Sequence, residues 1–355
     1  MAPTDKDLIA ALSSAGKAPL SQDYPDGSRL LLLPYGARVL GLFAPGSDEN
    51  IFWTHPALAS GESAEALFQS HDWHNTGGDR TWLAPEVDVF FPNYPDTAVW
   101  HVPPQLDPGD YASVGEAPTQ QLASQVSLTL SRGHKKVEAR ITKQWRPAPN
   151  PLRHEPGWNK LDDFTYAGYT QETHLELLTG TDNAAQVGLW NLLAVPNGGE
   201  VIIPTHTRAV PEIYTGTIPP SDVIVTDHLV RFRTSGKGIR KMGIRATEST
   251  GRLGYLYQSH DAWALIVRNF TVNPSGEYID VPWRRSTASD ALGFSTQACS
   301  VQTGDWDYCE LEHHSPALSF NTGQACSKDS SQLWAYRGPQ SAIMRIAKSL
   351  LSADL

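Results

Sequence analysis

The segment DYCELEHHSP, residues 307–316, gathers more titratable groups than any other stretch of the chain. If it is a strand, alternation places Glu310, Glu312 and His314 on one face and Cys309, Leu311 and His313 on the other. Two carboxylates held close together repel, which raises one pKa and prepares a general base or acid. Glu312 ranks first and Glu310 second, on position in the segment alone. The plain alternative is a Glu-x-Glu pair on a solvated face.

A second cluster is HDWHNTGGDRTWLAPE, residues 71–86. Its two glycines allow a tight turn that exposes the flanking side chains, so the segment reads as a loop presenting donors together. Arg80 has the fork geometry to hold vicinal hydroxyls or a uronate carboxylate. Asp79 and Glu86 could accept hydroxyl protons, Trp82 could stack on a ring, and His74 adds a polar group. Against this stands a structural ion pair between Arg80 and Glu86.

Among the remaining candidates, His174 in QETHLELL shares a strand face with Glu172 and Glu176, and His206 follows the run EVIIP; either could be an ordinary surface histidine. Arg245 and Arg268 lie in apolar strands, where a guanidinium needs an anionic ligand or a core carboxylate. His71 with His74, or His313 and His314 with Glu312, supply metal-ligand types. Adjacent strand residues point to opposite faces, so His313 and His314 do not readily share an ion; neither a metal nor a cofactor is expected.

The elements that must position these groups are mostly strands. Asp5 to Ser14 has helical spacing and Gly16 as a stop. After it, 28 Gly and 26 Pro separate short alternating or β-branched runs such as SRLLLLPYG, KVEARITKQW, DVIVTDHLVRFRT, KMGIRAT, AWALIVRNFTV and EYIDVPW. Asn197 and Gly198 between LLAVP and EVIIP predict a hairpin with a tight turn. Helical spacing returns only in the last segment, read as a helix over 333–355. Residues 101–121 and 146–163 read as loops, and no linker divides the chain, which is taken as one domain over 1–355 with a helical N-terminus over 1–20.

Composition narrows the classes. Net charge is −10, and no Lys/Arg run is interleaved with aromatics, so nucleic acid is not an expected partner. The 11 Trp and 12 Tyr suit stacking on sugar C–H faces as well as core packing. Three cysteines without a paired pattern read as reduced thiols. The first twenty residues lack the apolar region of a signal peptide, and no stretch approaches ~20 apolar residues, so a cytoplasmic location without membrane association is expected. A P-loop, a G-x-S-x-G elbow and H-E-x-x-H are all missing, which sets aside nucleotide hydrolases, serine hydrolases and zincins.

RLLLLPYGARVLGLFAPGSDENIFW resembles the opening of aldose 1-epimerases, and HNTGGDRTWLAPE, LWNLLAVPNGGEVIIPT, TGRLGYLYQ, VRNFTVNPSGEYIDVPW and CELEHHSPAL follow in the order of a mutarotase-like branch. The resemblance spans most of residues 29–320. It implies an all-β, galactose mutarotase-like supersandwich of antiparallel strands with short terminal helices, whose concave face holds a monosaccharide or a glycan end. It further implies that a strand in the C-terminal third supplies the carboxylate that removes the anomeric hydroxyl proton, and that Arg80 matches the arginine placed on the sugar. The His-x-Tyr-Phe-Asn-Leu-like segment that carries the acid in those enzymes has no counterpart: WNLLAVP occupies the region without a histidine. His174 and His206 are then the candidate acids. A cofactor-independent sugar epimerase or isomerase leads the expectation, ahead of a lyase or hydrolase on a glycan or uronate end and a non-catalytic sugar-binding protein.

Overall fold

The computed structural model describes residues 3–70, 73–114, 121–158, 164–259, 261–283, 293–304 and 306–352. Short alternating runs form strands because one face of each can be buried while the backbone groups pair sideways. They assemble into two antiparallel sheets. The first has nine strands, in spatial order Leu20–Asp23, Arg29–Leu33, Arg38–Phe43, Asp79–Ala84, Gly188–Pro196, Trp306–His314, Phe294–Thr303, Gly238–Arg245 and Glu212–Thr215. The second has ten, running from Val223–Val225 through Glu200–Pro204, Ala262–Phe270 and Thr165–Leu177 to Ala112–Ser113. Leu193, Val195, Met242, Ile244 and Leu311 of the first pack against Val201, Phe232, Tyr255, Ile266 and Leu333 of the second. Each such side chain contributes about 1.5–3 kcal/mol by leaving water.

The mutarotase-like all-β expectation is met, with local corrections. The first helix spans Asp5–Ser14 and opens on a capping box in which Thr4 and Asp7 satisfy each other's backbone N–H. Residues 333–338 are strand: Cys326–Gly338 runs beside Thr165–Leu177, and the last helix is Gln340–Leu351. Strand spacing in SQLWAYRG was masked by the helical spacing that follows it. The Asn197–Gly198 bend does not make a hairpin within one sheet. It carries the chain from the first sheet to the second, and Tyr255 straps it by donating to the Pro196 carbonyl at 2.7 Å and accepting from Gly199 N at 2.8 Å. Turn chemistry sets the reversal, not the partner across it. EYIDVPW is a loop rather than a strand; Pro282 has no N–H to give a ladder, Trp283 lines the cavity described below, and Asp280 accepts from Glu86 N at 2.7 Å. The helix Gly61–Gln69 was not anticipated. Among the described residues no helix is long and apolar enough to cross a membrane.

Candidate active site

Register in the first sheet determines which side chains meet on its outer face. Arg80 lies opposite Leu192, which lies opposite Glu312, which lies opposite Gln297. Glu310 lies opposite Cys299, and Cys299 opposite Lys241. Arg80, Glu310, Glu312, Cys299 and Lys241 therefore converge from four strands on a cavity of about 270 Å³. That is close to the lower end of the ~300–1,000 Å³ typical of small-molecule sites. The walls are aromatic: six of the eleven tryptophans, Trp73, Trp82, Trp100, Trp190, Trp283 and Trp306, line it with Phe91 and Tyr308.

The charged groups form two joined pairs. Arg80 Nη2 donates to Glu310 Oε1 at 2.6 Å, with its guanidinium over the Trp82 ring at 4.1 Å. Lys241 Nζ bridges Glu86 Oε2 at 3.0 Å and Glu312 Oε2 at 3.1 Å. Trp190 Nε1 also donates to Glu312 Oε2, at 2.7 Å. Glu312 Oε1 is buried and has no hydrogen-bond partner among the described residues. Three carboxylates thus face two cations in a water-poor space, and one proton is retained more readily than in solution. Burial pushes the Glu312 carboxyl up to about 7; Lys241 opposes the shift, and Glu310 and Glu86 reinforce it. Burial alone would lower the Lys241 ammonium, but Glu312, Glu86 and Asp280 outweigh it and hold it above its ordinary value.

Of the segment read as a loop, residues 79–84 form a strand instead. Gly77 and Gly78, at φ +88° and +70°, turn the chain into the strand Asp79–Ala84. A Cβ on Gly78 would lie 2.2 Å from the Val39 carbonyl oxygen. Gly78→Ala is expected to lower stability by about 1–3 kcal/mol or more in urea melts, because both the dihedral and the contact must relax. A stability within a few tenths of wild type would contradict this entry geometry. Because Asp79–Ala84 is a strand, Arg80 and Asp79 face opposite ways. Arg80 pairs with Glu310, not with Glu86, which starts the helix Glu86–Val89 and turns to Lys241. Trp82 and Trp73 are oriented by Asp107, whose Oδ2 accepts from their indole N–H groups at 2.9 and 3.1 Å and from Arg38 at 2.6 Å.

Asp79 and Arg268 lie outside the cavity. They pair with each other between the sheets, where Tyr169 also donates to Asp79 at 2.5 Å. His313 joins this interior network, contacting Asp329 at 3.1 Å and Arg268 at 3.3 Å. His314 is on the cavity side of its strand but sits behind Trp190, stacked on it at 5.6 Å, and does not line the cavity. Burial, with help from Lys241 and His313, holds its ring well below the ordinary histidine pKa, so it is neutral. His74 is occupied with Tyr35 Oη at 3.0 Å and Ser70 Oγ at 3.1 Å. His174 is exposed on the outer face of Thr165–Leu177 and His206 is exposed after Glu200–Pro204; neither lines the cavity. Exposure of alternate polar residues on an outer face explains the apparent His174 cluster: Glu172 pairs there with Arg146 and Lys328, and Glu176 with Arg140. Arg245 is half-buried with its guanidinium over the Phe294 ring at 4.8 Å.

His71 lies outside the described residues. Among those described, the one group of three metal-ligand types that meets within 4.8 Å is Cys299, Glu310 and Glu312, not the histidine sets. Arg80 and Lys241 already sit on its two carboxylates. Sequence reasoning missed Lys241, Cys299, Asp107 and Trp190. For Lys241 the signal was present: a lysine alternating with the apolar Met242 and Ile244 inside KMGIRAT must face away from the core.

Comparison with known proteins places the architecture. A solved structure of an Escherichia coli K12 protein, named as a candidate aldose 1-epimerase, has a TM-score of 0.51 at 8% identity, covering 91% of this chain and 99% of its own. A GalM/aldose epimerase homologue from C. elegans has a TM-score of 0.42 at 9% identity, over 91% of this chain and 100% of that one. Galactose 1-epimerase from Lactobacillus acidophilus NCFM has a TM-score of 0.39 at 9% identity, over 91% and 95%. The first of these likenesses shows the galactose mutarotase-like fold; none reaches an identity that carries function. No curated protein matches the chain. Residues 35–355 match a protein family as a whole, and the protein therefore belongs to that family, described as a family of unknown function (DUF6786).

Proposed function

We propose that the cavity binds an uncharged sugar and that the protein interconverts its anomers without a cofactor, with Glu312 as general base. The observation that carries this reading is Glu312 Oε1, a fully buried carboxylate oxygen on the lining of an aromatic cavity with no partner among the described residues. Tryptophan walls suit the C–H faces of a sugar, and a carboxyl near neutrality suits proton abstraction. Glu312 takes the proton of the anomeric hydroxyl. The bond from the anomeric carbon to the ring oxygen breaks with its electron pair on that oxygen, which takes a proton from the Lys241 ammonium. The open aldehyde rotates and the steps reverse on its other face. Protonation of Glu312 weakens the field that holds the Lys241 proton, so the two transfers assist each other. Lys241 thus takes the part for which His174 and His206 were the sequence candidates.

The charge count favours this over elimination or hydrolysis on a uronate. Both cations are already matched by carboxylates, so an anionic sugar would add a fourth negative charge to the cavity. A base acts deprotonated, so kcat/KM for anomer exchange is expected to rise with pH and level off above about 7. Stability runs the other way: a carboxyl raised from 4.5 to about 7 favours the folded chain at low pH, and that contribution is lost as pH rises through about 7. Saturation-transfer NMR on glucose and galactose across this range is the measurement. A rate independent of pH would remove Glu312 as the titrating base, and binding without exchange at any pH would leave a sugar-binding protein.

A further inference from the structure

The cavity changes character from floor to mouth. Glu312, Trp190 and Cys299 at the floor are 0%, 2% and 5% exposed. Trp100 is 37% exposed and Ile239 43%, with Val99 at 49% beside Trp100. The catalytic polar groups all belong to the buried end, and the exposed end presents rings and aliphatic side chains. This exposed end is also built rather than loose. Trp100 lies parallel to Phe90 at 5.7 Å and 14°, so one face of its indole is held. Its edge is fixed against Trp73 at 5.6 Å and 72°, and Trp73 meets Trp306 at 6.0 Å and 81°. Adjoining apolar groups open to water at the rim of a binding cavity mark a contact surface.

We infer that Trp100, Trp73, Trp306 and Ile239 form a second subsite that stacks a further uncharged ring, so that the preferred ligand is the reducing end of an oligosaccharide rather than a free monosaccharide. The inference rests on the sugar reading of the floor. With the anomeric carbon at Glu312, a second residue attached through a non-anomeric hydroxyl extends toward the mouth, where the continuous aromatic wall receives it. An uncharged occupant is favoured because, among the described residues, the rim contributes no charged side chain to the lining. An aromatic platform accepts a ring by its face and is tolerant of hydroxyl configuration.

The experiment is calorimetric titration of the full chain with glucose, galactose, maltose, cellobiose and lactose, repeated on Trp100→Ala. At least one disaccharide is expected to bind about tenfold more tightly than the monosaccharides that compose it, and Trp100→Ala is expected to bring that ratio toward one. Trp100 is partly exposed, so the variant should fold; the wild-type ratio stands as a test without it. Monosaccharides binding as tightly as every disaccharide would overturn the second subsite and leave the floor reading intact. A ratio that survives in Trp100→Ala would overturn the assignment to this rim. No binding by any of the five sugars would overturn both readings together.

Discussion

Glu312→Gln is expected to slow anomer interconversion by ~100-fold or more while leaving sugar binding largely unchanged. The variant keeps the shape and can keep the structural contacts. An amide oxygen in the place of Oε2 still accepts from Trp190 and Lys241, and Lys241 retains Glu86. What is lost is the proton acceptor at Oε1. Single-turnover exchange on the sugar that binds best, with calorimetric affinity measured in parallel, separates the two effects. Equal rates for wild type and variant would take Glu312 out of the mechanism. Glu310→Gln should slow the reaction less, since Glu310 is engaged with Arg80 and acts on the substrate through that arginine.

Asp79→Ala is expected to cost about 3–5 kcal/mol of stability, the largest effect we assign to a residue outside the cavity. Asp79 is fully buried between the sheets and is the carboxylate partner of Arg268, itself 1% exposed. Its removal strands a guanidinium in the core and leaves the Tyr169 hydroxyl without its acceptor. Urea denaturation with an unchanged m-value is the appropriate measure. Asp79→Leu combined with Arg268→Met should recover most of the loss, because replacing both charges removes the penalty of an unpaired one. A loss below ~1 kcal/mol for Asp79→Ala would show that the pair is not structural.

The contrast between these two carboxylates shows what alternation makes legible and what it hides. Period-2 spacing in DYCELEHHSP correctly separates Glu310 and Glu312 from His313, because the strand Trp306–His314 is flanked by strands that fix its two faces. The same rule separates Asp79 from Arg80, but Gly77 and Gly78 carry a turn signal that hides the strand Asp79–Ala84 directly after them. The hydroxyl-accepting role for Asp79 therefore gives way to a core ion pair, and of the two partners open to Arg268, an anionic ligand or a core carboxylate, it is the carboxylate that it meets. Partners across the sheet were not legible: that Lys241 lies two strands from Glu312, or that Asp107 steers two tryptophans, depends on strand order and on long-range closure. The Asn197–Gly198 bend teaches the same lesson, since local turn chemistry does not say which sheet receives the next strand.

The sugar proposed for the tryptophan-lined cavity has its anomeric centre at Glu312. The most direct test is a crystal structure of the protein soaked with the tightest-binding neutral sugar. One ring is expected against the indoles at the floor, with its anomeric hydroxyl within about 2.6–3.2 Å of Glu312 Oε1 and Lys241 Nζ toward the ring oxygen. A sugar bound elsewhere on the sandwich, or bound here with its anomeric carbon at the mouth and away from Glu312, would contradict it.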